Sequence, residues 1–554
     1  MMREYERWRS LVNDEHLKNE LCAMENAPEK IQDAFYRALE FGTGGLRGTL
    51  GVGTNRMNIY TVGRATLGLC DYIRENGGKS VAIGYDTRIG SLEFARRTAE
   101  IFASEGVKTY LYKEPLPTPM LSYAVRRLGC DGGVMITASH NPKEYNGYKV
   151  YGSDGCQITD DAASAILANI GKRDYFSFRE TVGFDGFLEN GKIQYIGEDV
   201  FESYLDEVSS TSPLYTDEVD RSVSIVYTNL HGTGRRPVLE ILARSGFCNV
   251  TLVEKQATHD GEFPTCPYPN PELPEALTLG IAHAKEKGAD VLLATDPDCD
   301  RVGVAVRDGE EYKILTGNEV GLLLLDFIAS QKKKHGMLAE NPLAVKTIVT
   351  SELAKKIAEK YNIAIVDVLT GFKYIGEQIG MLEEKGEEDR YIFGFEESCG
   401  YLGGSYVRDK DGVYAVLLVA ELCAYLAKRG ECLKSRLDAI YREHGYLKNS
   451  LYSYTFGGAE GFDKMQSIMR TLRCGIENFA GIRVLTVEDY LGGFQGLPSS
   501  NVLRYLLDGG NSLVVRPSGT EPKLKLYVSA NAENEEDATK ICLAIKADVE
   551  KYFE

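Results

Sequence analysis

The chain has 554 residues, which is too long for a single hydrophobic core and predicts three or four domains. Its formal net charge of −18 argues against nucleic acid or an anionic membrane as the main partner, although a local cationic pocket could still bind a small anion. The 12 cysteines lack zinc-site spacing, no run of eighteen apolar residues occurs, and the first residues lack the apolar stretch of a secretory signal, so we expect a cytoplasmic protein with reduced thiols.

Runs of strand character alternate with helical stretches through most of the chain. The runs lie at 81–85, 108–112, 134–136, 222–227, 250–253, 290–294, 344–349 and 363–366, with helical patterns at 94–99 and 236–245. Such alternation predicts parallel sheets with helices on both faces. The polar stretch 209–213 is predicted to be a linker.

The tail of the chain has a different pattern. Residues 512–516 and 523–528 alternate as two half-exposed strands around a loop, and a helix is expected from Glu535 onward. We therefore predict three related mixed or parallel α/β sandwich domains and a C-terminal α+β domain. The predicted domains are residues 1–207, 208–312, 313–445 and 446–554.

The segment Thr-Ala-Ser-His-Asn-Pro at 137–142 follows a short buried strand. Pro142 cannot continue the strand, so Ser139 is expected at its carboxyl end, where open α/β sheets bind their ligands. Serine, asparagine and proline are also ordinary turn residues, so a plain turn is the alternative.

A second loop, Asp-Pro-Asp-Cys-Asp-Arg at 296–301, lies between two further strand-like runs. Alternate residues of an extended segment point the same way, so Asp296, Asp298 and Asp300 can converge on a hard cation such as Mg²⁺. An EF-hand is excluded because its sixth and twelfth positions require Gly and Glu, and here they are Arg301 and Arg307. A solvated acidic turn is the remaining alternative.

Three more loops combine residues suited to sugars and phosphates. The loop 516–523 offers an arginine fork, hydroxyl groups and a glycine that lets backbone N–H groups approach an anion. The clusters 370–373 and 396–398 each follow a strand-like run, and a glutamate beside a serine suits paired sugar hydroxyls. A solvated hairpin for the first loop, and helix capping for the other two, remain possible.

These motifs, together with the glycine-rich segment 42–48, resemble those of the α-D-phosphohexomutases, the family of phosphoglucomutases and phosphomannomutases. The four signatures occur in the family's order along nearly the whole chain. The resemblance implies four domains around one central cleft, each contributing a loop. It also implies an isomerase that carries phosphoserine at Ser139, with Mg²⁺ held by that phosphate and by Asp296, Asp298 and Asp300.

The implied reaction transfers the phosphoryl group of Ser139 to glucose 1-phosphate, forming glucose 1,6-bisphosphate, and then returns the other phosphate to the serine. Sugar phosphates are the implied partners of a monomer or homodimer. The residues implied to stabilise charge or handle protons around the transferring group are Arg47, His140, Lys149, Arg301 and Lys410. Those implied to bind the sugar or the distal phosphate are Thr370, Gly371, Lys373, Glu396, Ser398, Arg516, Ser518, Gly519, Thr520 and Lys523.

Several alternatives stay open at this stage. Lys149 is expected to have a depressed pKa for proton transfer, but it could be a solvated lysine of a hairpin turn, and His140 could be structural. Cys399 follows Ser398 where phosphomannomutase-type members continue with glycine and histidine, which disfavours mannose. A phosphopentomutase, a bisphosphate synthase, a phosphatase and a non-catalytic sugar-phosphate binding protein are the competing functions.

Overall fold

The computed structural model describes residues 1–42, 44–178, 182–456, 458–517 and 523–553. Four sheets follow one another along this part of the chain, each packed against helices. Within the described residues, no helix combines the length and apolar character needed to cross a membrane.

Three short N-terminal helices precede the first sheet along the chain. Its strands run in the order β1-β2-β6-β5-β3-β4-β7. The pairs β3–β4, β3–β5 and β4–β7 are parallel, whereas β5–β6, β6–β2 and β2–β1 are antiparallel. The strands are β1 Phe41–Gly42, β2 Gly45–Thr49, β3 Ser80–Tyr85, β4 Lys108–Leu111, β5 Gly132–Ile136, β6 Tyr145–Gly152 and β7 Ile193–Tyr195. The helices are α1 Met2–Leu11, α2 Glu15–Ala23, α3 Pro28–Phe35, α4 Ile59–Glu75, α5 Ser91–Ser104, α6 Thr118–Arg127, α7 Asp160–Lys172, α8 Gly183–Glu189 and α9 Glu198–Ser210.

The second sheet contains the hairpin that carries the acidic loop. Its order is β12-β11-β10-β8-β9, with β8 parallel to β9 and β10, and β10–β11–β12 antiparallel. The strands are β8 Ile225–Thr228, β9 Val250–Leu252, β10 Val291–Thr295, β11 Val302–Asp308 and β12 Glu311–Leu315, and the helices are α10 Arg235–Arg244 and α11 Pro274–Lys287. Every residue of β10 is buried, as expected for a central apolar strand.

The third sheet has the order β14-β13-β15-β16. Strand β13 is parallel to β14 and β15, and β16 returns antiparallel to β15. The strands are β13 Leu343–Thr347, β14 Ala364–Val368, β15 Tyr391–Glu396 and β16 Gly400–Leu402. The helices are α12 Gly317–Lys334, α13 Leu353–Tyr361, α14 Phe372–Glu383, α15 Gly412–Ala427 and α16 Leu433–His444. Helix α15 is apolar almost all round because it is buried in a core shared with the first two sheets.

The fourth sheet is antiparallel throughout, in the order β17-β22-β21-β20-β19-β18. The strands are β17 Tyr446–Thr455, β18 Asn478–Phe479, β19 Ile482–Asp489, β20 Leu503–Leu507, β21 Asn511–Pro517 and β22 Lys523–Ala532, and the helices are α17 Gly458–Leu472 and α18 Glu535–Glu550. This is the α+β arrangement predicted for the tail, and the predicted fold class is confirmed.

Two local predictions were wrong. The stretch 209–213 is not a free linker, because α9 continues to Ser210 and Leu214 is buried. Strand β21 is buried nearly throughout rather than half-exposed. One of its faces packs on the helices of the fourth unit, and Val514 on the other face packs on Ile348 and Leu369 of the third.

The domain boundaries stay a prediction. The boundary proposed between residues 207 and 208 falls within α9, and that between 312 and 313 falls within β12. The boundary between 445 and 446 coincides with the start of β17.

Candidate active site

Ser139 lies just beyond the end of β5, as the motif predicts. Its backbone N–H donates to Thr137 Oγ1 at 2.8 Å, and its φ of 52° is in the left-handed region. The Ser139 hydroxyl donates to Asp296 Oδ2 at 2.9 Å and lies 3.2 Å from His140 Nδ1. The structure therefore brings the serine of the first unit against the acidic loop of the second.

The acidic loop connects β10 to β11 and folds its three carboxylates together. The loop turns because Asp296 Oδ1 accepts from the N–H groups of Asp300 and Arg301, both at 3.1 Å. One oxygen atom from each of Asp296, Asp298 and Asp300 lies within 4.8 Å of the others, and all three side chains are buried. Asp298 Oδ1 and Asp300 Oδ1 are buried without a hydrogen-bond partner among the described residues.

This donor set fits a divalent cation. Burial, together with Asp298 and Asp300, raises the pKa of Asp296 well above its ordinary value. Burial also acts to raise the pKa of Asp300, but Lys410 and Lys149 hold it below its usual range. Buried carboxylate oxygens that lack a donor and repel one another are what a hard cation binds.

Two lysines approach the same carboxylates from different units. Lys149, on β6, donates to Asp298 Oδ2 at 2.8 Å, and Lys410 Nζ lies 2.8 Å from Asp300 Oδ2. Burial would lower the pKa of Lys149, but Asp298 and Asp300 raise it above its ordinary value. The predicted depressed pKa was wrong, because the anions at this position outweigh the neighbouring cations.

Arg47 and Arg301 complete the cationic side of the cluster, near His140. Arg47, on β2, donates to Asn141 Oδ1 at 3.2 Å, and Arg301 donates to Glu272 Oε1 at 2.7 Å. Burial, with Arg301 and Arg47 nearby, lowers the pKa of His140 well below its ordinary value. A lowered pKa favours the neutral imidazole, whose Nδ1 lies within hydrogen-bond reach of the serine hydroxyl.

The two expected sugar loops adjoin the acidic loop. Glu396, at the end of β15, accepts from the N–H of Gly371 at 2.8 Å, which joins the two loops. The Val302 N–H donates to the carbonyl of Cys399 at 3.0 Å, so the second and third units meet here through their backbones. Burial raises the pKa of Glu396, although Lys410 and Arg301 partly oppose this.

The remaining residues of these two loops differ in their exposure and contacts. Thr370 and Ser398 are half-buried in the same two loops. Lys373 forms an ion pair with Asp160 of α7 at 2.6 Å, so its ammonium group is directed toward the first unit.

The loop expected to bind phosphate, residues 516–523, lies between the paired strands β21 and β22. Ser518, Gly519 and Thr520 lie outside the described residues. Arg516 is near the end of β21 and close to Tyr527, and Lys523 begins β22. These two residues mark the ends of the loop.

Three residues that the sequence analysis missed contribute to the cluster. Thr118, at the start of α6, donates its hydroxyl to Asp298 Oδ2 at 2.9 Å. Glu272 pairs with Arg301, as described above. Lys525 is near Arg516, Glu397 and Arg301. Its pKa is lowered mainly by burial and to a smaller degree by the charge of Arg516. Period-two alternation along β22 placed Lys525 on the face of Lys523 and could have indicated it, whereas Thr118 and Glu272 carry no local signal.

The chain is similar to known proteins along most of its length. Family models described as phosphoglucomutase/phosphomannomutase match in four parts: alpha/beta/alpha domain I at 38–176, domain II at 202–309, domain III at 316–444 and the C-terminal domain at 473–546. A phosphoglucomutase of Staphylococcus saprophyticus is 37% identical over 551 residues, covering 96% of this chain and 97% of the relative.

Solved structures share the fold. A phosphomannomutase-like protein of Thermus thermophilus has a TM-score of 0.71 at 24% identity, covering 93% of this chain and 99% of its own. The open form of parafusin from Paramecium, described as a phosphoglucomutase and an exocytosis-sensitive phosphoprotein, has a TM-score of 0.69 at 19% identity, covering 93% and 96%. The four matched domains and the full-length relative lead to one conclusion: this chain belongs to the phosphoglucomutase/phosphomannomutase family.

Proposed function

We propose that this protein is a phosphoglucomutase that interconverts α-D-glucose 1-phosphate and glucose 6-phosphate through a phosphoserine at Ser139 and glucose 1,6-bisphosphate. The observation that carries the proposal is the contact of the Ser139 hydroxyl with Asp296, inside a buried cluster of three carboxylates and several cations. The 37% identity to a staphylococcal phosphoglucomutase supports glucose as the sugar.

The covalent steps of the cycle exchange one phosphoryl group at a time. The 6-hydroxyl of glucose 1-phosphate attacks the phosphorus of phosphoserine, so that the bond from O6 to phosphorus forms and the bond from Ser139 Oγ to phosphorus breaks. The proton of the 6-hydroxyl ends on Ser139 Oγ. After the bisphosphate has reoriented, Ser139 Oγ attacks the phosphorus of its 1-phosphate and the bond from O1 to phosphorus breaks. The proton of the Ser139 hydroxyl passes to O1, and glucose 6-phosphate leaves as phosphoserine re-forms. We infer that His140 Nδ1 or Asp296 Oδ2 takes this proton, because both atoms contact the hydroxyl.

Phosphoryl transfer needs positioning and charge stabilisation more than covalent chemistry from the protein. Asp296, Asp298 and Asp300 would hold Mg²⁺, which when bound would neutralise negative charge on the transferring group. Lys149 and Lys410, both charged near neutral pH, lie beside the same carboxylates and add positive charge. Arg47 and Arg301 are near enough to lower the pKa of His140 and contribute in the same way.

The sugar and the distal phosphate would bind to loops of the third and fourth units. Glu396, fixed by the Gly371 N–H, would accept from sugar hydroxyls together with Thr370 and Ser398. Arg516 and Lys523, with Ser518, Gly519 and Thr520 between them, would hold the phosphate that is not transferred. The bisphosphate must reorient between the two transfers. These groups must therefore bind the 1-phosphate and the 6-phosphate at the same site.

The test is a comparison of wild type and Ser139→Ala on glucose 1-phosphate, mannose 1-phosphate and ribose 1-phosphate. We expect interconversion to be fastest on the glucose substrate, to need catalytic glucose 1,6-bisphosphate, and to disappear in the variant. Intact mass should show one added phosphate on wild type and none on Ser139→Ala. Release of inorganic phosphate without isomer formation would instead establish a phosphatase, and unchanged turnover by Ser139→Ala would overturn the phosphoserine.

We also propose a cytoplasmic location, supported by twelve free cysteines, which suit a reducing compartment. The oligomeric state, monomer or homodimer, stays a prediction. Light scattering coupled to size-exclusion chromatography measures it directly.

A further inference from the structure

The backbone at Ser139 is held in a conformation that a serine does not favour. Its φ of 52° is in the left-handed region, which is disfavoured for residues with a Cβ atom and is kept only where surrounding contacts impose it. The Thr137 hydroxyl fixes the N–H side of Ser139. The carbonyl side is fixed by a residue outside the motif.

That residue is Arg88, which follows β3. Its side chain is wholly buried, and its Nη2 donates to the carbonyl oxygens of Ser139 and Asn141. Nη1 donates to the carbonyls of Pro142 at 2.9 Å and Tyr145 at 3.2 Å. One guanidinium group therefore gathers four carbonyl groups of the segment that carries the nucleophile.

Arg88 is itself held from two sides. Asp86 Oδ2 lies 3.3 Å from its Nε, and Asp86 Oδ1 accepts from the Arg88 N–H at 2.9 Å and from Ser91 Oγ at 2.7 Å. The ring of Phe263, from the second unit, covers the guanidinium at 5.0 Å. The same segment of the second unit reaches the serine loop again through the Lys143–Glu262 ion pair at 2.6 Å.

We propose that Arg88 is a positioning residue for phosphoryl transfer: it holds the left-handed backbone of Ser139 so that the hydroxyl, or its phosphate, faces Asp296. Arg88 has no hydrogen bond to the Ser139 hydroxyl, so it acts through the loop. Only a planar fork with five donors can bind four carbonyl groups at once, and a lysine at this position would lose that geometry while keeping the charge. The inference rests on the proposed mutase function for its kinetic consequences, but the placement of the loop can be tested without it.

The experiment compares wild type, Arg88→Lys and Arg173→Lys on glucose 1-phosphate. Arg173→Lys is the control for the chemical change, because the Arg173 fork pairs with Asp71 in the same unit, although about a third of its side chain is exposed. A misplaced nucleophile should lower kcat by about 100-fold, with KM for glucose 1-phosphate changed by less than about threefold, since the groups that bind the sugar phosphate are untouched. Amide hydrogen exchange at 139–145 should rise in Arg88→Lys and not in Arg173→Lys.

The outcomes separate the two proposals. If wild type interconverts no sugar phosphate, the proposed function fails, and the exchange measurement alone decides whether Arg88 holds the loop. If wild type is active and Arg88→Lys keeps more than about a third of kcat, or changes only KM, the positioning role is refuted. If Arg88→Lys does not fold, Phe263→Leu decides: it removes the ring over the guanidinium, and we expect a roughly two- to tenfold loss confined to kcat. An unchanged kcat in Phe263→Leu would then overturn the inference.

Discussion

Replacing the buried Glu421 with glutamine should stabilise the protein mainly at high pH. It lies on α15, in the shared core, where its Oε1 accepts from Ser212 Oγ at 2.6 Å. Its Oε2 is buried without a hydrogen-bond partner among the described residues. Burial raises the pKa of Glu421 from 4.5 to about 7, and Ser212 and Arg221 offset this only in part.

The sign of the effect follows from the raised pKa. The folded state holds the proton more tightly than the unfolded chain, so this group's contribution to stability is complete below about pH 4.5 and is lost as pH rises through about 7. A rise of this size corresponds to about 3 kcal/mol of stability lost at alkaline pH. Glutamine resembles the protonated glutamate and does not titrate, so Glu421→Gln should avoid the loss.

The assay is thermal and urea unfolding of wild type and Glu421→Gln at about pH 5 and about pH 8.5, followed by circular dichroism. We expect the variant to be more stable by less than about 1 kcal/mol at the acidic pH, which is just above the unfolded pKa of 4.5, and by up to about 3 kcal/mol at the alkaline pH. Glu431→Gln, an exposed change shortly after α15, is the control and should be neutral at both. Equal stabilisation by Glu421→Gln at both pH values, or none at the alkaline pH, would refute the assignment of a buried, protonated carboxyl.

Three other predictions concern the candidate active site and the contact between the third and fourth units. Asp298→Asn should lower turnover by at least about 100-fold and weaken Mg²⁺ activation, which a magnesium titration measures; full activity at the wild-type magnesium requirement would contradict the metal assignment. Arg516→Ala should raise KM for glucose 1-phosphate by about tenfold or more with a smaller effect on kcat, and a change confined to kcat would argue against distal phosphate binding. Arg504→Met removes the 2.9 Å ion pair with Glu352 that ties β20 to the third unit, so hydrogen exchange at the facing surfaces should increase, whereas unchanged exchange would show that apolar packing alone holds the contact.

The sequence by itself determined the family, the fold class and the ends of strands at which polar motifs occur. Apolar runs such as 134–136 and 291–294 are long enough to specify buried strands locally, and the alternating acids at 296–300 indicate a cation site by their spacing alone. The positions of Ser139 and Glu396 after their strands follow from the same local pattern, because a residue that ends a buried strand lies at the edge of its sheet.

The tertiary structure decided which of these groups meet, and in what charge state. The raised pKa of Lys149 depends on Asp298 and Asp300, roughly 150 residues further along the chain, and the burial of β21 depends on a face supplied by the third unit. Thr118 contacts the acidic loop and Arg88 contacts the serine loop, and the sequence around these two residues does not predict either contact. Burial and electrostatic energy are sums over neighbours in space, and most of those neighbours are set by the packing of the four units rather than by adjacency in the chain.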